Sequence, residues 1–356
     1  MNEIVASWAE RIRAAAADGR ALNLQGGGSK DFHGRRAVGE DFALAEHAGV
    51  MDYEPTELVV TVRGGTPLAE LEALLAAQGQ FLAFEPPHFG AGATVAGCVA
   101  AGLSGPRRAS VGAVRDFVLG VKLLDGRGEV LSFGGQVMKN VAGYDVSRLV
   151  AGSLGTLGVI LELSLKVLPR PPREATLRFE MAEGEAIDRL NDWGGQPLPI
   201  SASAWNAGVL TLRLSGAEAA VAAAITRLGG EQLADDQALT FWSDTKEQRT
   251  PAHDLAGHEQ LWRLSLPSSA APLRLSGRQV IEWGGAQRWL AGDLPAAQVR
   301  SRAAELGGHA TLFRGGDRAG EVFSPLPAPL FAIHRRLKAT FDPAGIFNPG
   351  RLYQGL

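Results

Sequence analysis

The chain has 356 residues, enough for two domains with sizeable hydrophobic cores. Its formal net charge is −3, and 46% of its residues are hydrophobic and 21% charged, the composition of an ordinary globular protein. A balance so close to neutrality argues against a nucleic-acid partner and against a polybasic membrane-binding surface.

The chain has a single cysteine, Cys98, which limits the cysteine-based structures that it can form. One thiol forms neither an internal disulfide nor a cysteine-ligated iron–sulfur cluster. The N-terminus is a charged amphipathic segment without the apolar stretch of a signal peptide. We therefore expect a cytoplasmic protein with no transmembrane segment of its own, which can still associate with a membrane through a partner.

The first predicted elements are a helix, a strand and a glycine loop. Apolar spacing predicts an amphipathic helix over residues 4–18, and a short strand follows at 21–24. The strand runs into residues 25–30, Gln-Gly-Gly-Gly-Ser-Lys, which offer successive backbone N–H groups, the Ser29 hydroxyl and the Lys30 charge to an anion. The loop has neither the Walker order nor the Rossmann spacing, so a phosphate site and a flexible turn both stay open.

A run of small side chains follows the next strand and helix. We predict a buried strand over 58–62 and a helix over 68–78, with Thr66 as its N-cap and Pro67 at its first position. Residues 90–105 are then almost all small and mostly uncharged. Because glycine has no Cβ, such a run lets a large ligand lie against the main chain. We interpret it as part of a flavin dinucleotide site; a close-packed loop or helix crossing is the alternative.

The remaining elements suggest a change of domain. Residues 117–124 and 129–133 predict a hairpin, and a strand over 161–168 ends at a cluster of prolines. From residue 173 to about 325, alternating strands and helices predict a smaller α+β layer with an antiparallel sheet. A basic amphipathic helix over 329–338 precedes the closing segment.

Several of these stretches together resemble the flavin-binding domain of the FAD-linked oxidases, of the vanillyl-alcohol oxidase or p-cresol methylhydroxylase type. The marks of the resemblance are the loop 26–29, the passage 92–97, Gly112 with Arg115-Asp116, the segment 153–160 and the closing residues 342–350. Within that family, residues 283–289 and 307–315 look most similar to the FAD-binding subunits of bacterial glycolate oxidases.

The resemblance implies an α+β fold in three parts. Residues 1–172 are a two-part FAD-binding domain of the p-cresol methylhydroxylase type, and residues 173–325 are a smaller α+β cap domain with an antiparallel sheet. Residues 326–356 are a C-terminal segment that returns to the FAD-binding domain.

Carried over residue by residue, the resemblance also implies the cofactor site. The first glycine loop holds the pyrophosphate, the small-residue run lines the flavin and the pyrophosphate, and later positions approach through main-chain atoms or from the C-terminal return. The implied FAD-binding residues are Gly26, Gly27, Gly28, Ser29, Lys30, Gly92, Ala93, Thr94, Val95, Gly97, Cys98, Gly102, Ser104, Gly105, Gly112, Gly158, Val159, Ile160 and Asn348.

The sequence departs from some relatives in its histidines. None lies in residues 26–29, where some family members attach the flavin covalently, so we expect non-covalent FAD. The chain also lacks the His-rich run that holds a metal in related hydroxy-acid dehydrogenases, and we predict no metal. Catalytic residues stay unassigned: Arg314 could clamp a carboxylate and His309 could act as a base, but both suit a domain interface equally well.

Three functions follow from these observations. The first is an FAD-binding subunit of a glycolate (2-hydroxy-acid) oxidase or dehydrogenase complex. A second flavoprotein subunit would then carry out the main substrate chemistry, and an iron–sulfur subunit would carry the electrons onward. The second is a self-sufficient FAD-linked dehydrogenase with its substrate between the domains. The third is a flavin-fold structural subunit without turnover of its own.

Overall fold

The structure is a computed structural model that describes residues 3–135, 145–255 and 259–356. Over these ranges the helices are α1 (Glu3–Asp18), α2 (Leu68–Ala77), α3 (Val95–Ala101), α4 (Arg108–Val111), α5 (Glu183–Gly194), α6 (Glu218–Leu228), α7 (Asp235–Glu247), α8 (Ala296–Glu305) and α9 (Ala328–Phe341). Short 3₁₀ helices cover Val114–Asp116, Val146–Val150 and Trp283–Gly285.

The strands of the same ranges alternate with these helices. They are β1 (Leu22–Gln25), β2 (Glu40–Ala43), β3 (Val50–Glu54), β4 (Val59–Arg63), β5 (Gln80–Phe81), β6 (Val118–Leu124), β7 (Val130–Gly134), β8 (Val159–Lys166), β9 (Leu168–Pro169), β10 (Arg173–Glu180), β11 (Ile200–Asn206), β12 (Val209–Gly216), β13 (Glu231–Gln232), β14 (Gln260–Ser265), β15 (Arg278–Glu282), β16 (Gln287–Gly292) and β17 (His309–Arg314).

A five-stranded antiparallel sheet, in the order β3-β4-β8-β6-β7, forms the centre of the N-terminal half. Strand β8 is rich in apolar residues because both of its faces are buried. Leu163 and Leu165 pack into the core that includes α2 and α3, whereas Val159 and Leu161 pack beside α1 on the other side. The parallel pair β1–β2 adjoins this second core through Leu22 and Phe42.

The end of the chain returns to its beginning. Leu22 forms a parallel bridge with Phe347. The Leu22 N–H donates to the Ile346 carbonyl oxygen at 2.7 Å, and the Asn348 N–H donates to the Leu22 carbonyl oxygen at 2.9 Å. Ile346 and Phe347 are buried in the same core as α1. This return brings Asn348 next to the glycine loop that follows β1.

An eight-stranded antiparallel sheet occupies the C-terminal half, in the order β13-β10-β12-β11-β15-β16-β14-β17. Along the chain, the first strand of this sheet is β10, which begins at Arg173, directly after the proline cluster. The predicted α+β fold class is confirmed. The predicted helix over 4–18, the hairpin and the antiparallel sheet are also present, as α1, β6–β7 and this large sheet.

The two sheets meet across a polar and aromatic interface. The Glu85 carboxylate pairs with Arg107 and with Arg213, at 3.4 and 2.8 Å, and Arg107 also pairs with Glu174 at 2.5 Å. The Trp283 Nε1 donates to the Gly105 carbonyl oxygen at 3.0 Å. These side chains come from both halves, so they fix the end of the small-residue run against the large sheet.

The predicted N-cap of α2 is wrong. Pro67 occupies the N-cap position, and no side chain caps the helix. The Thr66 hydroxyl instead donates to the Arg63 carbonyl oxygen at 2.7 Å and accepts from the Gly49 N–H at 3.0 Å. Thr66 therefore closes the turn that precedes the helix rather than the helix itself.

Candidate functional site

A cleft in the N-terminal half collects the glycine-rich segments. It holds about 830 Å³ of empty space out to its open mouth, of which about 110 Å³ accepts the centre of a water molecule. Its lining is Asn23, Leu24, Gly26, Gly27, Gly28, Ser29, Lys30, Asp31, Leu44, Gly64, Gly65, Thr94, Ala96, Gly97, Ala100, Ala101, Leu154, Gly155, Gly158, Ile160, Asn348 and Arg351.

The loop after β1 carries unpaired hydrogen-bond donors on the cleft lining. Among the described residues, none accepts a hydrogen bond from the backbone N–H groups of Gly27, Gly28, Ser29 or Lys30. The loop is nevertheless closed, because the Asp31 N–H donates to the Gly28 carbonyl oxygen at 3.1 Å. Four free amides next to a hydroxyl and an ammonium suit an anion such as a diphosphate. They favour the phosphate site over the flexible turn.

Lys30 supplies the positive charge of this loop. Its Nζ donates to the His88 carbonyl oxygen at 3.0 Å and lies 3.3 Å from the Ser29 hydroxyl. Burial lowers the pKa of Lys30, and the nearby Glu247 carboxylate opposes the shift. A half-buried ammonium with hydrogen-bond capacity to spare is stabilised by any anion that enters the cleft.

The glycines of the site are required mainly because two loops touch each other. A Cβ on Gly27 would lie 1.4 Å from the Gly92 carbonyl oxygen, and a Cβ on Gly26 would lie 2.5 Å from the Thr94 hydroxyl. For residues 90–105, the missing Cβ atoms were expected to leave room for a ligand, whereas residues 25–30 were expected to supply backbone donors. In the structure, the space at these two positions is filled by the neighbouring loop of the chain itself.

Part of the small-residue run forms α3, a helix that was not predicted from the sequence. Val95, Cys98 and Val99 are buried in the core beneath it. Ala96 and Ala100, four positions apart, face the cleft on the other side. The run therefore provides both a close-packed helix and one wall of the cleft. The two alternatives left open by the sequence, a ligand-lining run and a close-packed segment, both describe part of it.

The helix α3 offers few free donors at its start. The Val95 N–H donates to the Thr66 carbonyl oxygen at 3.0 Å, and the Ala96 N–H donates to the Gly64 carbonyl oxygen at 2.9 Å. The Gly97 N–H donates to the Thr94 hydroxyl at 3.2 Å, the N-cap bond that the helix needs. The free donors for a diphosphate are therefore those of the loop 27–30.

The buried thiol of Cys98 is chemically quiet. Its exposed fraction is 2%, and burial raises its pKa to about 12. The side chain consequently remains a protonated thiol and acts as a small hydrophobic residue of the core.

Asn348 reaches the cleft, and each end of its side-chain amide already makes one hydrogen bond. Its side-chain oxygen accepts from the Leu24 N–H at 2.7 Å, and its Nδ2 donates to the Leu154 carbonyl oxygen at 2.6 Å. A Cβ on Gly155 would lie only 2.7 Å from that Nδ2. The amide thus ties the C-terminal return to two sides of the cleft.

The structure brings about half of the predicted cofactor residues onto this cleft. They are Gly26, Gly27, Gly28, Ser29, Lys30, Thr94, Gly97, Gly158, Ile160 and Asn348. The others lie off its lining: Gly92, Ala93, Val95, Cys98, Gly102, Ser104, Gly105, Gly112 and Val159. Gly92 abuts Gly27, Val159 is wholly buried in the α1 core, and Ser104 and Gly105 line a second cavity. Contact between these residues and FAD stays a prediction.

Some residues that line the cleft were not predicted from the sequence, and only some of these lie in a sequence pattern that could have identified them. Gly64 and Gly65 follow β4 as the first glycine loop follows β1, so the same pattern could have found them. Leu44 and Arg351 carry no local pattern. Arg351 is placed by the C-terminal return, where its Nη2 donates to the Asp31 carbonyl oxygen at 2.8 Å.

The second cavity lies between the end of the small-residue run and the large sheet. It holds about 300 Å³ of empty space out to its mouth, of which about 20 Å³ accepts a water centre. Its lining is Pro87, Phe89, Leu103, Ser104, Gly105, Pro106, Thr245, Lys246, Gln248, Arg263, Glu282, Gln287, Trp289 and Phe313.

Glu282 is a buried carboxyl of this second cavity. It accepts hydrogen bonds from Gln287 Nε2 at 2.8 Å and from Trp289 Nε1 at 2.5 Å. Burial raises its pKa to about 7; these two hydrogen bonds and the Arg263 charge oppose the shift, and the Glu85 charge adds to it. The carboxyl therefore changes its charge near neutral pH.

We expect Glu282→Gln to stabilise the protein at pH 8 relative to the wild type, and much less at pH 5. Between pH 4.5 and about 7 the folded state holds a proton on Glu282 that the unfolded state releases, so the free energy of unfolding falls as pH rises. At 1.36 kcal/mol per pKa unit the effect is on the order of 3 kcal/mol. Urea unfolding at both pH values measures it, with the exposed Glu180→Gln on β10 as control. An equal effect of Glu282→Gln at both pH values would contradict the assignment.

The two catalytic candidates from the sequence are better placed as interface or surface residues. The Arg314 guanidinium lies 4.4 Å from the ring centre of Phe32 and 4.6 Å from that of Phe89, so it stacks on aromatic side chains. His309 is exposed at the start of β17. Neither of them lines the cleft or the second cavity.

The described residues also bear on metal binding and on membrane insertion. Within the ranges that the structure describes, no three His, Cys, Asp or Glu side chains lie together as a metal site. Among the described helices, none is both long and apolar enough to cross a bilayer.

Two segments of the chain match models of known protein families. Residues 5–134 match the family model described as "FAD binding domain", and residues 319–352 match "FAD linked oxidases, C-terminal domain". These matches contain the first glycine loop, α3 and the C-terminal return, and they define an FAD-linked oxidase. The predictions of FAD as cofactor and of an FAD-dependent oxidoreductase are confirmed.

One relative extends over nearly the whole chain. Glycolate oxidase subunit GlcE of Escherichia coli (strain K12) is 49% identical over 347 residues, which cover 98% of this chain and 97% of that protein. The chain therefore belongs to the GlcE family of glycolate oxidase subunits.

Other relatives share only part of their length. Glycolate oxidase subunit GlcD of Bacillus subtilis (strain 168) is 30% identical over 36% of this chain and 27% of that protein. D-lactate dehydrogenase of Anaerostipes hadrus is 35% identical over the same shares. Among solved structures, an alkyldihydroxyacetonephosphate synthase superposes with a TM-score of 0.68 at 14% identity, covering 97% of this chain and 75% of that one. That likeness concerns the fold.

Proposed function

We propose that this chain is the FAD-carrying subunit of a glycolate (2-hydroxy-acid) oxidoreductase complex. The observation that carries the proposal is the loop 27–30, whose free amides line a cleft enclosed by α3 and the C-terminal return. Membership of the GlcE family supports glycolate as the substrate of the assembly, because the relative from Escherichia coli is named as a glycolate oxidase subunit.

Different residues of the cleft have different roles in binding the cofactor. The amides of the loop 27–30, with Ser29 and Lys30, bind the diphosphate, and the apolar side chains of Leu24, Leu44 and Ile160 exclude water beside them. Asn348 keeps the C-terminal return in place. Bound FAD would supply this chain with a two-electron carrier for the electrons that the complex removes from the 2-hydroxy acid as it becomes a 2-oxo acid, with loss of two protons.

The electrons then leave through partner subunits. With Cys98 as its single, buried cysteine, the chain can ligate no iron–sulfur cluster by itself. A second flavoprotein subunit that carries out the main substrate chemistry and an iron–sulfur subunit complete the proposed complex. The proposed location is the cytoplasm, with membrane association through those partners.

The first test is the flavin content and turnover of the purified chain. We expect a yellow protein that releases its FAD on acid denaturation, since no histidine lies in residues 26–29. The chain alone should reduce a dye slowly with glycolate, and addition of the partner subunits should restore the rate. Rapid turnover by the chain alone would favour the self-sufficient dehydrogenase, and a colourless chain that ignores added FAD would contradict the proposal.

The variant Lys30→Met locates the cofactor within the same test. It should weaken FAD retention about tenfold or more, because a charge-assisted hydrogen bond contributes ~1.5–3 kcal/mol. Lys122→Met, which removes an exposed lysine paired with Glu162 on the five-stranded sheet, is the matched control. Equal FAD retention in Lys30→Met and Lys122→Met would show that Lys30 does not bind the cofactor.

A further inference from the structure

Glu247, the last residue of α7, extends from the C-terminal half to a turn beside the cofactor cleft. Its Oε2 accepts from the Phe89 N–H at 2.8 Å and from the His88 N–H at 3.1 Å, and its Oε1 also lies 3.1 Å from the His88 nitrogen. Among the described residues, no other group accepts a hydrogen bond from these two N–H groups. The turn 88–89 is therefore held by a carboxylate of the other half of the molecule.

The Glu247 carboxylate is buried and charged at neutral pH. Its side chain is 9% exposed, and the Lys246 Nζ lies 3.3 Å from its Oε1. Burial by itself would raise the pKa of Glu247, but the N–H groups of Phe89 and His88 and the Lys246 charge outweigh it, so the pKa lies below its usual value. Hydrogen bonds from backbone N–H groups to a charged acceptor are stronger than those to a neutral one, so this carboxylate holds the turn firmly.

The backbone of Phe89 needs such support. Phe89 has φ 54°, in the left-handed region that a bulky residue seldom adopts. Its ring centre lies 5.4 Å from that of Phe32, 6.2 Å from that of Phe313 and 4.6 Å from the Arg314 guanidinium. A strained conformation persists only where its surroundings hold it. Here the C-terminal half contributes the acceptor, from α7, and part of the ring packing, from β17.

The same turn contacts the first glycine loop on its other side. The His88 carbonyl oxygen accepts from the Lys30 Nζ at 3.0 Å, and a Cβ on Gly90 would lie 3.4 Å from the Cβ of Ser29. Glu247 itself does not line the cleft. The carboxylate holds the N–H of His88, and the carbonyl of the same residue holds the ammonium that faces the cleft.

We propose that Glu247 is a positioning residue of the diphosphate site, which fixes the turn 88–89 so that the His88 carbonyl orients the Lys30 ammonium. The inference deepens the proposed function and rests on it, because the anion to be bound is the diphosphate of FAD. It gives the C-terminal half a part in cofactor binding, although the loop 27–30 lies in the N-terminal half.

The direction of the effect separates positioning from charge. A carboxylate near the site repels an anion, so its removal would tighten FAD binding if only the charge of Glu247 mattered. Its removal weakens FAD binding if Glu247 positions Lys30, because the two N–H groups lose their acceptor and the His88 carbonyl is no longer held in place.

The experiment is a titration of the chain with FAD after its bound cofactor has been removed. Glu247→Leu should weaken FAD binding about tenfold or more, the factor expected when a charge-assisted hydrogen bond is lost. Glu247→Gln should weaken it less, since one oxygen in the place of Oε2 can accept from both N–H groups. Asp236→Leu, in the exposed first turn of α7, is the control and should change nothing. Circular dichroism confirms that each variant is folded at the temperature of the titration.

A double-variant cycle tests whether the effect passes through Lys30. In a Lys30→Met background, Glu247→Leu should weaken FAD binding by less than about threefold, because the group that it positions is already absent. A carboxylate that only stabilises the fold would lower the melting temperature and change FAD affinity by the same factor in both backgrounds. Equal factors in the two backgrounds, or unchanged or tighter FAD binding by Glu247→Leu, would overturn the proposal.

Inorganic pyrophosphate separates this inference from the proposed function, because it carries the diphosphate without flavin or adenine. If FAD binds the wild type and Glu247→Leu equally well, the positioning role is overturned while the proposed function stands. If the wild type binds no FAD but binds pyrophosphate with the same dependence on Glu247 and Lys30, the positioning role is supported and the proposed function is contradicted. A chain that binds neither overturns both.

Discussion

Gly27→Ala should abolish FAD binding and lower the melting temperature of the protein by several degrees. The added Cβ would stand 1.4 Å from the Gly92 carbonyl oxygen, a backbone atom that cannot rotate away. Gly92 in turn approaches Gly27, since a Cβ on Gly92 would lie 2.6 Å from the Gly27 carbonyl oxygen. The loops 26–30 and 90–94 must therefore separate, and the free amides of the first loop move with them.

The comparison variant is Gly194→Ala. Gly194 is the last residue of α5, and apart from its two chain neighbours and the backbone of its own helix no described atom lies within 4 Å of the position of its Cβ. Alanine in a helix is favoured over glycine by about 0.5–1 kcal/mol, so this variant should be as stable as the wild type or slightly more stable. FAD content after gel filtration and the melting temperature are the two measurements. A Gly27→Ala protein with full FAD and an unchanged melting temperature would show that the loops are not in contact.

The first glycine loop could be predicted because its signal is local. A strand, three glycines, a hydroxyl and a lysine are adjacent in the sequence, and the structure keeps them adjacent on the cleft. The helix α3 could not be predicted in the same way. Helical periodicity is recognised from bulky side chains on one face, and Val95 and Val99 are too few to mark a face among alanines and glycines.

The second cavity had little local signal beyond Ser104 and Gly105 of the small-residue run and the segment 283–289. Arg263 and Trp289 are 26 positions apart, and β14 pairs with β16 so that they lie opposite each other. Glu282 and Gln287 meet across the hairpin β15–β16. Gln248 follows the end of a helix and adopts the left-handed conformation, which a glutamine in the sequence does not predict. Antiparallel pairing brings such positions together, and a single sequence does not state its register.

Lys338→Met should destabilise the folded protein by about 3–5 kcal/mol, the typical cost of removing one partner from a buried ion pair. The Lys338 Nζ lies 2.7 Å from Asp342 Oδ2 and donates to the carbonyl oxygens of Thr156 and Phe347 at 2.8 and 2.6 Å. Asp342 is only 1% exposed. Methionine fills the space of the stem but leaves the carboxylate without its cation.

The loss should extend from the helix to the cofactor cleft. Asp342 also accepts from the Ile346 and Phe347 N–H groups, at 3.1 and 2.7 Å, and this turn positions Asn348 at the cleft. Lys338→Met is thus expected to weaken FAD binding as well as stability. Arg336→Met, on the exposed side of α9, is the control and should do neither.

A double variant separates the lost charge from the lost packing. In Lys338→Met with Asp342→Asn no carboxylate is buried without its partner, so the double variant should recover part of the stability that Lys338→Met loses. The recovery is partial because the amide has one oxygen, while both oxygens of Asp342 accept backbone N–H groups. Urea unfolding followed by circular dichroism gives the free energies, and FAD fluorescence gives the cofactor affinity. If Lys338→Met unfolds within 1 kcal/mol of Arg336→Met, on the scale of an ordinary surface substitution, the buried pair does not hold the C-terminal return against the cleft.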